Sequence, residues 1–192
     1  MQSKESTSLR FRSADDFLTW LAANHSTSPG LWIRIAKKGS GIQSITHPEA
    51  LDIALCYGWI DAIRKADDET YFLQRFTPRT KRSIWSKINR GKIATLIADG
   101  RMHPAGLAEV ERAKKDGRWE AAYDSIKSMS VPDDLQKFLD KHARARKFFE
   151  SLTSQNRYAI LFRLHTAKKP ETRAKRFAQF TEMLKKGKTI YP

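Results

Sequence analysis

The sequence has only one cysteine, Cys56, so it can form no internal disulfide and no cysteine-rich zinc site. No apolar run approaches the roughly 20 residues that span a bilayer. The first residues, Met1 to Arg12, lack the apolar segment of an export signal. These absences predict a cytoplasmic protein without a membrane span. The sequence carries no comparable indication of the oligomeric state.

Catalytic and cofactor motifs are also scarce. Gly39-Ser40-Gly41 lacks the third glycine of a nucleotide-binding loop and is better interpreted as a turn. None of the five histidines lies at metal-ligand spacing, and no elbow motif singles out a serine nucleophile. The sequence therefore predicts no catalytic residue, no metal and no cofactor, and it favours a binding protein over an enzyme.

Acidic residues are absent from residues 71–98, which carry seven Lys or Arg side chains. Residues 151–192 carry ten basic and two acidic side chains, while the remaining segments are close to neutral. The formal net charge of +15 is thus concentrated in two basic blocks, which would attract anions such as phosphorylated metabolites or nucleic acid. A solubilising surface is the alternative interpretation for the second block.

The first block mixes guanidinium groups, hydroxyl groups and aromatic rings, a combination that suits an anionic and partly planar ligand. We expect arginines to grip the anion, Trp85 to provide a stacking wall, and polar side chains near a helix start at Ser86 to supply hydrogen bonds. Packing of Trp85 in the core is an equally good interpretation. The predicted ligand-binding residues are Asp61, Arg75, Thr77, Arg79, Arg82, Ser83, Trp85, Ser86 and Asn89.

Asp61 allows two interpretations. It begins a predicted strand, and pairing with Arg75 across a hairpin would fix the register of two strands. A role as a catalytic base is the second interpretation. The structural ion pair is the preferred interpretation.

Sequence-nonspecific nucleic-acid binding is the alternative function, although no helix-turn-helix, RNA-recognition or zinc-finger signature is present. Both basic blocks would contribute, and each lies at a predicted helix start, so we expect the blocks to be adjacent with an anion between them. The residues of this alternative are Arg79, Lys81, Arg82, Lys87, Arg90, Lys168, Lys169, Arg173, Lys175 and Arg176.

The fold class predicted is α+β, with a three-stranded antiparallel sheet in the N-terminal half and a mostly helical remainder. Residues 1–12 are expected to be a flexible leader, followed by one domain over residues 13–192. The strands are expected at Leu31–Ile35, Trp59–Arg64 and Tyr71–Phe76. Helix starts are expected at Ser13, at the Thr46–Glu49 capping box, and near Ser86, Pro104, Pro132 and Pro170.

Five sequence blocks are similar to a known bacterial family. They are CYGWID at 56–61, RFTPR at 75–79, SIWSKIN at 83–89, GRMHPAG at 100–106 and AKKPETRAKR at 167–176. Together, over about Phe11 to Pro192, they resemble the YdeI/OmpD-associated or bacteriocin-protection family. The resemblance implies a role in stress or antimicrobial-peptide tolerance and an association with an outer-membrane porin, and it implies no particular reaction.

Overall fold

The computed structural model describes residues 8–125 and 128–192, which fall into two compact units. The N-terminal unit comprises residues 8–85 and 89–121. The C-terminal unit comprises residues 86–88 together with the described residues from 122 to 192. The expected single domain stays a prediction. Residues 1–7 of the expected leader lie outside the described part of the chain.

The N-terminal unit contains the sheet and the first helices. Its strands are β1 (Ser8–Leu9), β2 (Leu31–Ala36), β3 (Trp59–Ala66) and β4 (Tyr71–Pro78). Its helices are α1 (Ala14–Asn24), α2 (His47–Cys56), most of α3 (Lys87–Ala98) and α4 (Pro104–Lys115). Helix α1 starts after Ser13, as expected, and α2 starts after the capping box predicted at Thr46. At both starts the hydroxyl group accepts from the backbone NH three residues later, so Ser13 also forms a capping box.

The sheet has four strands in the described chain, so the predicted three-stranded antiparallel sheet is wrong in strand number and direction. The order is β1-β2-β4-β3, with β1 parallel to β2 and the other pairs antiparallel. Ser8 lies opposite Trp32, and Leu9 lies opposite Ile33. A two-residue strand carries too little alternation to be recognised in a sequence. The broader prediction of an α+β fold is confirmed.

One face of the sheet packs against α1 and α2. Because side chains alternate along a strand, Ile33 and Ile35 of β2 face this core, as does Phe76 of β4. Helix α1 contributes Phe17 and helix α2 contributes Ile53 to the same core. The buried side chains of this core are Phe11, Phe17, Leu21, Leu31, Ile33, Ile35, Ile45, Ala50, Ile53, Ala54, Trp59 and Phe76.

Close packing of α4 against α2 depends on Gly106. A Cβ at this position would lie only 2.1 Å from the carbonyl oxygen of Cys56. The backbone NH of His103 donates to the same carbonyl oxygen at 3.1 Å. Any side chain at residue 106 would push the two helices apart, and α4 carries the buried Glu109 described below.

The C-terminal unit has four further helices, which are α5 (Asp133–Lys141), α6 (Ala143–Ser151), α7 (Ser154–His165) and α8 (Pro170–Lys185). Their apolar faces form a second core that includes Leu135, Phe149, Ile160, Phe180 and Leu184. The helix starts expected near Pro132 and Pro170 are found there. None of the helices in the described ranges combines the length and apolar character needed to cross a bilayer.

Asp134 contributes a pH-dependent interaction to the C-terminal unit. The Arg173 guanidinium donates to both carboxylate oxygens, at 2.6 and 2.9 Å, and lowers the pKa of Asp134. A lowered folded-state pKa gives stability that is complete above the ordinary aspartate pKa of about 3.9. This stability is lost as the pH falls through the lower folded value.

Replacing Asp134 with Asn should therefore lower the free energy of unfolding near neutral pH, and the difference should disappear near pH 2. Both side chains are more than one third exposed, so we expect a loss of about 0.5–1 kcal/mol. Urea unfolding followed by circular dichroism would measure it. Asp133→Asn is the matched control, because Asp133 lies in the same first turn and has no ion pair within the described residues. Equal losses in the two variants would contradict the prediction.

Candidate functional site

The first basic block is partly compensated in space although it is uncompensated in sequence. Lys92 pairs with Asp52 at 2.6 Å, and Arg90 lies 3.7 Å from Glu120. Within the C-terminal unit, Lys87 pairs with Asp124 at 2.8 Å. All three carboxylates lie outside residues 71–98, so charge counting along the sequence could not detect them. Three of the seven cations are therefore engaged in ion pairs.

Arg79 and Trp85 form a buried stack. The guanidinium carbon lies 3.6 Å from the centre of the indole ring, and the exposed fractions are 5% for Arg79 and 1% for Trp85. Arg79 also donates from Nη1 to the carbonyl of Ile84 at 3.1 Å, and its backbone NH donates to Gly58 at 3.0 Å. The geometry corresponds to the core-packing interpretation of Trp85. Both residues hold the chain between β4 and α3.

The segment between them is a turn that satisfies its own polar groups. The Ser83 hydroxyl accepts from the backbone NH of Thr80 at 2.9 Å, and the Thr80 hydroxyl accepts from that of Arg82 at 3.2 Å. The side chains of Lys81 and Arg82 are exposed. Of the predicted ligand residues in this turn, Ser83 thus has a structural partner, whereas Arg82 extends into solvent.

Arg118 secures this turn, and sequence analysis missed it. Its Nη1 donates to the carbonyls of Thr80 and Ser83, at 3.3 and 3.1 Å, and to Oε1 of Glu109 at 2.9 Å. Its Nε donates to Asp116. Burial lowers the pKa of Arg118, but the hydrogen bonds to Glu109 and Asp116 outweigh it, so the net pKa is raised. Arg118 therefore remains a charged clamp, with 7% of its surface exposed.

The other predicted ligand residues lie in different elements. Arg75 and Thr77 lie on the sheet face opposite the core, where the Arg75 guanidinium is 5.9 Å from the centre of the Trp32 ring. Ser86 is buried and forms an isolated β-bridge with Tyr123 in the C-terminal unit. Asn89 lies half-buried in the first turn of α3. A ligand site made by these residues stays a prediction.

Asp61 pairs with His47, and the expected Asp61–Arg75 ion pair is not formed. Strand register places Asp61 opposite Phe76, so Arg75 points to the other face of the sheet. The Oδ2 atom of Asp61 lies 3.1 Å from Nε2 of His47, the first residue of α2. Both side chains are about one quarter exposed, at 24% for His47 and 29% for Asp61.

A cleft of about 590 Å³ lies next to this pair in the N-terminal unit. Its rim carries Lys37, Lys38, Arg64 and the imidazole of His47, and none of its lining residues is acidic. Apolar side chains form the rest of the wall. The residues lining this N-terminal cleft are Ile35, Ala36, Lys37, Lys38, Gly39, Ser40, Gly41, Ile42, Ser44, Ile45, Thr46, His47, Pro48, Arg64 and Phe72.

The loop that builds the cleft is held at both ends. The backbone NH of Lys37 donates to Thr70 at 2.7 Å, and that of Ile45 donates to Phe11 at 3.1 Å. Between them, Gly39 and Gly41 have positive φ angles, of 86° and 72°, which agrees with the turn expected there. The adjacent residues Lys37 and Lys38 could have indicated this cleft in the sequence. They lie outside the two basic blocks, where most of the net charge is found.

The second basic block lies in the C-terminal unit, and part of it is structural. Arg173 pairs with Asp134, and Arg176 donates to the carbonyl of Arg163 at 2.7 Å. The side chains of Lys168, Lys169 and Lys175 are exposed. Adjacency of the two blocks and nucleic-acid binding both stay predictions. Within the described residues, no group of three or more His, Cys, Asp or Glu side chains could hold a metal ion.

Removing the Arg118 side chain should destabilise the N-terminal unit by about 3 kcal/mol, because a buried carboxylate and two carbonyls lose their donor. Unfolding in urea can be followed by tryptophan fluorescence, since all five tryptophans lie in this unit. Arg112→Ala is the matched control. Arg112 also pairs with Glu109, but its side chain is 52% exposed, so its removal should cost less than about 1 kcal/mol. Similar losses of unfolding free energy in the two variants would show that Arg118 does not hold the turn as described.

Comparison with known proteins gave two family matches. Residues 9–109 match the family described as a domain of unknown function (DUF8412), and residues 128–187 match the family described as Bacteriocin-protection, YdeI or OmpD-Associated. Comparisons with curated proteins and with solved structures gave no significant match. The resemblance to the YdeI/OmpD-associated family is thereby confirmed over the C-terminal segment. Because the first match covers more than half of the 192 residues, the chain belongs to the DUF8412 family and carries a YdeI/OmpD-associated segment at residues 128–187.

Proposed function

We propose that the protein binds a small anionic molecule in the N-terminal cleft. The observation that carries this proposal is the charge of the lining, which includes Lys37, Lys38, Arg64 and His47 but no carboxylate. Cations around a concave surface concentrate anions and exclude other cations. The cleft volume of about 590 Å³ lies within the range typical of small-molecule sites.

The cations of the cleft differ in how far they are already engaged. Lys37 donates to the carbonyl of Asp68 at 2.8 Å. Arg64 donates from Nε to Gln74 at 3.1 Å, and its guanidinium lies 4.3 Å from the centre of the Phe72 ring. These contacts orient Arg64, while its two terminal nitrogens form no hydrogen bond within the described residues. Lys38 is exposed and has no ion pair there, so Lys38 and Arg64 are the cations most available to a ligand.

The apolar wall restricts the ligand further. Ile42 and Phe72, which are both half-buried, line the cleft beside the cations. A fully hydrated inorganic ion would leave this wall in contact with water, whereas an anion with an apolar portion would cover it. We therefore favour an organic anion, such as a phosphate, sulfonate or carboxylate attached to a compact apolar group.

The His47–Asp61 pair adds a polar contact at the edge of the cleft. The Nε2 atom of His47 lies 3.1 Å from Oδ2 of Asp61. A neutral imidazole that donates from Nε2 to Asp61 keeps Nδ1 as an acceptor. We assign the pair to ligand binding, because the cleft contains no nucleophile shown in contact with His47.

The setting proposed for this binding function is the cytoplasm of a bacterial cell. The family description of residues 128–187 names bacteriocin protection. A binding protein fits a tolerance role in which an anionic metabolite is sensed or sequestered, and that role requires no catalysis by this chain.

Removal of Lys38 and Arg64 together should weaken binding of naphthalene-1-sulfonate by about tenfold or more, because two charge-assisted contacts are lost. Titration of the ¹⁵N-labelled protein, followed at the amides of Gly39 and Gly41, would measure this affinity. Lys81→Ala with Arg82→Ala is the matched control. It removes the same two residue types from the exposed turn and should change the affinity by less than about twofold. If the control variant lost more affinity than the cleft variant, the sulfonate would bind at the exposed turn predicted from the sequence and not in the N-terminal cleft.

A further inference from the structure

We propose that the C-terminal unit contains a second anion site, separate from the N-terminal cleft. A cleft of about 510 Å³ lies between α6 and the end of α8. Arg144, Lys147 and Lys186 line it together with the apolar side chains of Phe148 and Leu184, and no lining residue is acidic. We refer to it as the C-terminal cleft. Its residues belong to the segment that matches the bacteriocin-protection family, but none was predicted as a site residue.

Helical spacing brings the cations of α6 together. Arg144, Lys147 and Phe148 are three and four residues apart, so they share one face of the helix. Arg144 and Lys147 have no ion pair within the described residues and are exposed. Like charges at this spacing repel each other. An anion in the cleft would attract both side chains and offset the repulsion between them.

Lys186 adds a third cation from the other side of the cleft. Its nearest carboxylate, Glu182, is 3.9 Å away and also accepts from Lys185 at 3.0 Å. The hydrogen bond from Lys185 is the main cause of the lowered pKa of Glu182. Because Lys185 holds Glu182 more closely, this carboxylate leaves most of the charge of Lys186 available to a ligand.

The apolar wall gives the site a preference beyond charge. The ring of Phe148 supplies this wall because it is half-buried, whereas Leu184 is only 1% exposed and supports the ring from the core. Gly187 ends α8 with a positive φ of 62°, and a Cβ at this position would lie 4.0 Å from the Phe148 ring. A glycine at this position therefore leaves the edge of the aromatic ring open to the cleft.

These features fit a phosphate monoester of a flat apolar group. The guanidinium fork of Arg144 can hold two phosphate oxygens at once, and the two lysines add point charges. The Phe148 ring offers a flat group a stacking or edge contact. The cleft volume is sufficient for a ligand of this kind.

The test uses the complete ¹⁵N-labelled chain and 1-naphthyl phosphate, with inorganic phosphate as the reference. We expect saturable shifts at the amides of Gly187 and Ser151, and an affinity for the naphthyl ester at least about fivefold above that for inorganic phosphate. Arg144→Ala with Lys147→Ala should weaken binding of the ester by about tenfold or more. Circular dichroism would verify that each variant is folded.

The matched control is Arg146→Ala with Lys175→Ala, which removes one arginine and one lysine from exposed positions of α6 and α8 outside the cleft. It should alter the affinity by less than about twofold. If the amides of Gly187 and Ser151 did not shift, the proposed C-terminal site would be wrong. It would also be wrong if both double variants weakened binding equally. Equal affinity for both phosphates would overturn the role of Phe148. Shifts at Gly39 and Gly41 report the N-terminal cleft separately, so either site can fail alone.

Discussion

The buried ion pair between Arg118 and Glu109 determines how the first basic block folds. Both side chains are almost completely buried, and Arg118 also donates to two carbonyls of the turn that contains Lys81 and Arg82. Removing one member of a buried ion pair is costly, and here the remaining partners, Arg112 of Glu109 and Asp116 of Arg118, are both more than one third exposed. Gly106 allows α4 to approach α2 and so positions Glu109 for this contact. Glu109 of α4 thus holds Arg118 in place, and Arg118 in turn holds the turn between β4 and α3.

This constraint changes the interpretation of a basic sequence run. In residues 71–98, most of the cations have structural partners, which are a tryptophan ring for Arg79 and carboxylates for Lys87, Arg90 and Lys92. Their charge contributes to the field of the protein, but their donors are directed toward the protein itself. Lys38 and Arg144, which have no ion pair within the described residues, line the two clefts. The density of charge along the chain does not show which donors are already engaged, so it is a poor guide to a candidate site.

Local signals in the sequence predicted much of the fold. The helix start at Ser13, the capping box at Thr46 and the proline starts at Pro104 and Pro170 marked four helices, because these signals act within one turn. Strand β1 was missed since its two residues have no periodicity. The bulge between Asp61 and Arg64 and the pairing of Asp61 with Phe76 depend on register, which a single sequence does not specify.

The site was harder to predict than the fold, for a related reason. The partners of Arg118 and Asp61 lie 9 and 14 residues away, and that of Lys92 lies 40 residues away, so none is visible as a motif. The sequence identifies side chains that can donate hydrogen bonds, but it does not show which acceptors they bind in the folded protein. The N-terminal cleft joins a loop after β2 to residues of β3 and β4, and only tertiary structure brings Lys38 and Arg64 together.

The net charge of +15 and the two clefts have different consequences for recognition. The field of the whole protein raises the local concentration of every anion, and salt screens this effect over about 8–10 Å. It cannot distinguish one anion from another. Selectivity must come from short-range contacts, for which the clefts offer Ile42 and Phe72 in the N-terminal unit and the Phe148 ring in the C-terminal unit. Added salt should therefore weaken binding at both sites while leaving the preference for anions with an apolar group largely unchanged, since burial of apolar surface is insensitive to screening.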